Sequence, residues 1–175
     1  MTLSLLFVIS CGETSDTRSE QQPVVIVPEP EPEPTYFLSS EDAARHLNLV
    51  TFGATTDTIE QLQQIDYQDW IDEQISLTPS LHSPLLEPYV DSESFWRKYR
   101  MAAWLQHAVH APDQLRQRMA FALSEIFVVS EFNASLGNDP LAVANYYDLL
   151  VNNAFGNYRD LLEAVTLSPA MGLYL

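Results

Sequence analysis

An all-α fold follows from how the apolar residues are spaced. From Ser39 onward they recur at three- and four-residue intervals, and no segment shows convincing two-residue alternation. Residues that start and stop helices bracket the periodic stretches, and no internal repeat is evident. The expectation is an irregular domain of about six to seven helices over residues 37–175, preceded by a disordered linker.

Ser39 with Asp42 forms an N-cap signal ahead of "AARHLNLVTFG", and Gly53 suits the stop. Asp57 with Glu60 repeats the device before "IEQLQQI". In "YQDWIDEQISL", Tyr67, Trp70, Ile71 and either Gln74 or Ile75 share a face. "TPSLHSPLLEPYVDSES" reads as a loop, because Pro79, Pro84 and Pro88 interrupt it. Two longer helices are predicted over Phe95–His110 and Asp113–Val129, parted by Ala111-Pro112. Asp139 as N-cap, Pro140 at the first helical position and Gly156 past the end bracket another, with Val143, Tyr147, Leu150 and Ala154 on one stripe. The next places Tyr158, Leu161, Leu162 and Val165 at helical spacing and halts at Ser168-Pro169. "PAMGLYL" then resumes the periodicity and ends without a cap or polar tail, which reads as a truncated C-terminus.

Charge excludes one class of function. The formal net charge is −16; residues 12–36 contribute −5, so −11 remains on the rest of the chain. An acidic field without a Lys/Arg patch repels phosphates, so a nucleic-acid role is excluded. Signatures of covalent catalysis are also missing: there is no G-x-S-x-G, S-x-x-K or Walker loop. No cofactor is expected.

The lone cysteine points to an address. Leu3 to Ile9 is apolar apart from Ser4, too short to span a bilayer as a mature helix but suited to the apolar core of a signal peptide over residues 1–10. Val8, Ile9, Ser10 and Cys11 resemble a bacterial lipobox, with Cys11 as the lipid-accepting residue, although no Lys or Arg precedes the apolar run. Residues 11–36 are acidic and Pro-rich around "PEPEPEP". They bury too little apolar surface to offset their ordering entropy, and alternate prolines favour an extended spacer. The expected partners are a membrane, reached through the lipid at Cys11, and an envelope protein. The expected location is the cell envelope, as an outer-membrane lipoprotein facing periplasm or exterior; secretion is the alternative.

Within the domain, "QLRQRMAFALSEIFVVS" is the most unusual stretch, since Met119 to Val129 is apolar all round apart from Ser124 and Glu125. Such a helix belongs in a core, where a carboxylate needs a partner or a raised pKa. Glu125 is therefore a weak candidate for acid-base work, with Arg118 on nearly the same face. The competing reading is half of a buried or half-buried ion pair. His107 and His110 stand at i, i+3 and are weak candidates as metal ligands, but no HExxH-like motif accompanies them; the alternative is a helix C-terminal role. Trp96 and Trp104 are expected to anchor the core. "NAS" at Asn133 marks the loop "EFNASLGNDP".

Taken together, "AARHLNLVTFGATTDTIEQL", "WIDEQI", "DQLRQRMAFALSEIFVVS" and "YYDLLVNNAFGNYRDLLEAVTLSPAMGLYL" resemble the N-terminal part of the bacterial family catalogued as domain of unknown function 1800. The resemblance covers most of residues 42–175 in the family's order. It implies a large exported or envelope protein, mostly helical and without an established activity. Many members carry a Trp-His-x-His-Phe pattern where this chain has Leu123, Ser124, Glu125, Ile126 and Phe127, so both histidine places are filled otherwise. The family also continues beyond "MGLYL" into Asn-Glu-Asn and Ala-Arg-Glu-Leu patterns. The expectation is a lipid-anchored binding or assembly protein with no complete active site in this chain. The alternative is a fragment of an exported hydrolase-like or metal-dependent enzyme, with its catalytic residues mainly in the family's C-terminal half.

Overall fold

The computed structural model describes residues 36–92, 97–133 and 135–175. The signal-like segment 1–10, Cys11, the linker up to residue 35, and Trp96 lie outside them. Every element among the described residues is helical.

Helix α1 (Ser40–Val50) starts where expected. Ser39 Oγ accepts from the Asp42 amide at 3.1 Å and donates to its carboxylate at 2.7 Å. Gly53, at φ +148°, then turns the chain in a conformation that side chains rarely allow. Helix α2 (Thr56–Leu62) begins two residues earlier than a cap at Asp57 suggests. Its cap is a reciprocal pair, the Thr58 amide donating to Thr55 Oγ and the Thr55 amide to Thr58 Oγ. Helix α3 (Tyr67–Ser76) is capped by Asp66, whose carboxylate accepts from the amides of Gln68 and Tyr36. Ala43, Leu47 and Leu62 form a small core here, with Ile59, Ile65 and Trp70 packed on it.

The Pro-rich segment expected to be a loop contains helix α4 (Ser83–Leu86) and one 3-10 turn at Glu87–Tyr89. Pro84 and Pro88 sit in the first turn of each, where the missing N–H costs nothing. Helices α5 (Arg97–His110) and α6 (Gln114–Ile126) follow, α6 ending three residues before the predicted Val129. Helix α7 (Pro140–Asn152) has the expected cap, Asp139 accepting from the Ala142 amide at 2.9 Å. Helix α8 (Tyr158–Leu167) stops at Ser168, and helix α9 (Pro169–Tyr174) completes nine α-helices among the described residues, more than the sequence suggested.

Helix α7 is the hub, packing against α4, α5, α6, α8 and α9. It buries Val143, Tyr146, Tyr147, Leu150 and Val151, and Leu161, Val165 and Ala170 close over it from α8 and α9. Of the stripes predicted for the last helices, Val143, Tyr147, Leu150, Leu161 and Val165 are buried, whereas Tyr158 and Leu162 are exposed.

Helix α6 meets the expectation that its apolar stretch forms the core only in part: Ala120 is buried and Leu123, Phe127 and Val129 pack on the main core, but other positions of the stretch do not. Met119 and Ile126 are 39% and 69% exposed, while Arg116, Gln117 and Ala120 are buried. The reason is local. The N-terminal half of α6 meets the end of α3 and the segment before α4, whose backbone groups lack helical partners. Arg116 donates to the carbonyls of Ile75 at 2.9 Å and Leu77 at 3.2 Å, and Gln117 to that of Ser80 at 2.8 Å. Orphan carbonyls draw Arg116 and Gln117 inward, while Met119, Ile126 and Val128 stay exposed.

Candidate functional site

Two adjoining sites meet at Trp104. One is a buried polar cluster holding the segment before α4 onto α7; the other is an open cleft bounded by α1, α2, α3 and α5.

The cluster centres on Asp148, the single acid in the apolar helix α7. One carboxylate oxygen accepts from the His82 amide at 2.6 Å and from His82 Nδ1 at 3.0 Å, and the other from the Ser83 amide at 2.8 Å. Asp148 thus caps α4 from 65 residues away. Burial alone would raise its pKa; the hydrogen bonds from His82 and Ser83 outweigh that and hold it below the ordinary carboxylate value. Burial lowers the pKa of His82, against the opposing pull of Asp148, and keeps the ring neutral. With the proton on Nδ1, Nε2 carries a lone pair; it is buried and unpartnered among the described residues. The rings of His107 and Tyr147 lie edge-on to His82, each with its centroid 4.7 Å away. His107 Nε2 donates to the Leu81 carbonyl at 2.9 Å, and Trp104 Nε1 to the Tyr147 hydroxyl at 3.0 Å. Desolvation pushes the Tyr147 hydroxyl up to about 12, so it stays protonated. An Asp-His pair of this kind has the electronics of a general base. Here its free nitrogen is buried beside two rings, and no hydroxyl among the described residues hydrogen-bonds to it.

The cleft has a volume of about 940 Å³. Its aromatic walls are Trp70, Trp104 and Phe52, the last set edge-to-face against Trp104 at 5.4 Å. Two glutamines fix its frame. Gln114 joins the Phe52 amide, at 3.5 Å, to the carbonyls of His107 and Ala111; Gln74 joins the Leu115 amide to the Pro112 carbonyl. Gln74, rather than Ile75, is the inward residue of α3, and Ile75 is 43% exposed. The side chains of Gln61, Gln64 and Glu73 line the cleft with no hydrogen bond to other described residues.

The structure separates the residues singled out from sequence. Glu125 is exposed on the rim of a depression of about 310 Å³, beside Arg100, Ser124 and Glu131. The buried or half-buried ion pair expected of Glu125 with an Arg does not form among the described residues, and the Arg118 guanidinium lies over the rings of Phe52 and Phe121, at 5.6 and 5.5 Å. The acid that pairs in this region is instead Glu131, with Arg100 in a two-pronged contact at 2.6 and 3.0 Å and with Arg97 at 3.8 Å. His107 is turned inward onto Leu81, whereas His110 is exposed, so the two do not converge. Among the described residues no group of three His, Cys, Asp or Glu side chains is placed to hold a metal ion. Trp104 packs against the main core, as expected of an anchor, but also faces the cleft.

A family model described as Protein of unknown function (DUF1800) matches residues 45–175. The chain belongs to that family. No curated protein and no solved structure matches it. In this DUF1800 chain the partner of His82 escaped sequence reasoning, although a signal was there: one acid inside "YYDLLV" has to be paired or capping when its helix is buried. The cleft left no such signal, because its lining is gathered from five helices and their connections.

Proposed function

We propose that this DUF1800 chain is an exported, lipid-anchored protein of the bacterial cell envelope, and that its helical domain works by binding. The observation that carries the binding reading is the cleft. It has the size of a ligand site, aromatic walls, a frame pinned by Gln74 and Gln114, and polar side chains left without internal partners. The anchor reading rests on Val8 to Cys11 and the acidic, Pro-rich stretch after it, which suits a spacer between membrane and domain. A folded envelope protein is the partner expected alongside the membrane. Labelling cells with a radioactive fatty acid tests the anchor: wild type incorporates label and Cys11→Ala does not. An unlabelled wild type defeats the anchor and leaves secretion.

One observation favours a second reading, an enzyme whose remaining residues are supplied elsewhere: the unpartnered Nε2 of His82, with its other nitrogen held by Asp148. Opening of the His107 and Tyr147 rings would be required to reach it. A base at this position predicts that a histidine-directed acylating reagent modifies His82 in the native chain. Protection of His82 until the protein unfolds assigns it to structure.

A further inference from the structure

We infer that the cleft bounded by α1, α2, α3 and α5 takes an uncharged, polyhydroxylated ligand, a neutral oligosaccharide. This rests on the reading of the cleft as a binding site. Charge narrows the choice first. In a chain of net charge −16, Glu73 is the only charged residue in the lining. An anionic ligand would enter a repelling field and meet no cation, and a cationic one would meet a lone exposed carboxylate. The ligand that suits such a lining is neutral.

Hydrogen bonding narrows it further. Gln61 lies in the last turn of α2 and Gln64 two residues past its end, where the Gln64 amide donates to the Gln61 carbonyl at 3.1 Å, while Trp70 and Glu73, three apart on α3, share a helix face. The two carboxamides, the Trp70 indole N–H and the Glu73 carboxylate have no hydrogen-bond partners among the described residues. An acyl chain or apolar peptide face laid over them would strip their water and give nothing back. Sugar hydroxyls donate and accept, and so match both amide ends and the carboxylate. The C–H face of a pyranose is apolar and fits the flat rings of Trp70 and Trp104. Because Gln74 and Gln114 already tie the walls to backbone groups, little ordering is left for the ligand to impose.

The test is titration of the full chain with gluco- and chito-oligosaccharides, followed by tryptophan fluorescence and calorimetry. Parallel titrations use laurate and a synthetic peptide of residues 23–36. Saccharide binding is expected, weakened about tenfold or more in Trp70→Ala and a few-fold in Gln64→Ala. Trp70 also packs on the small core, so the exposed Gln64 supplies the variant that keeps the fold. Saccharide binding that neither variant weakens overturns the location. Binding of laurate or peptide without saccharide overturns the ligand class and leaves the cleft a binding site. No response to any of the four overturns both the ligand class and the binding reading.

Discussion

The segment leading into α4 and the cleft beside α5 treat polar side chains in opposite ways. Around Ser80 to Ser83 the polar groups are drawn inward and most of them are paired, with His82 Nε2, Asp113 Oδ1 and Arg116 Nε left without a hydrogen bond among the described residues. Asp113, fully buried, accepts from the Ser80 amide at 2.9 Å and from Gln117, and Asp148 accepts from His82 and Ser83. Along the cleft, the side chains of Gln61, Gln64 and Glu73 are exposed and have no hydrogen-bond partner among the described residues. A buried polar group is costly when left unpaired, so the first set is committed to the fold. A solvated one is indifferent to the fold and free to meet a ligand.

The largest effect should come from Asp148→Ala. It leaves two backbone amides and the His82 ring without their acceptor in a dry site, for a loss of about 3–5 kcal/mol, measured by urea unfolding. Asp148→Asn keeps one acceptor oxygen and should lose less. A cost near that of a surface substitution would erase the contrast between the two regions.

A smaller effect should follow pH. Burial places the folded pKa of His82 below its unfolded value of 6.5, so the unfolded chain takes up the proton first. Its stabilisation is complete above pH 6.5 and is lost as pH falls through the lower folded value. Melting temperature should therefore drop on mild acidification, and the slope should shrink in His82→Gln. It should not vanish, because burial also lowers His46, whose Nε2 is likewise unpartnered. Asp148 acts in the same direction at lower pH: its contribution is present above 3.8 and lost as pH falls through its depressed value.

The smallest effects belong to the exposed set. Gln61→Ala, Gln64→Ala and Glu125→Gln should each leave stability within about 0.5 kcal/mol of wild type by thermal melting. A larger loss at Glu125 would bring back the buried carboxylate that its sequence surroundings suggested.

What was legible in the sequence was whatever is decided locally. The Ser39 cap, the Asp139-Pro140 start of α7 and the Ser168-Pro169 stop of α8 depend on neighbours within a turn or two, and all three are found. Where a distant group decides, sequence reading failed. The prolines around helix α4 read as a loop, because the carboxylate that caps it arrives from Asp148 on α7. In helix α6 the sequence pattern identifies the core contacts of Ala120, Leu123 and Phe127 but not the burial of Arg116 and Gln117, which the distant carbonyls of Ile75, Leu77 and Ser80 decide. The same holds for the sites: His82 and Asp148 become a pair only once α4 is laid on α7.

Trp104 belongs to both regions, its ring in the cleft wall and its N–H on Tyr147, whose own ring abuts His82. A molecule resting on that indole would damp the fluctuations that admit solvent to the amides of His82 and Ser83. Occupancy on one side would then be read as slowed deuterium uptake on the other, with no movement of the helices between them.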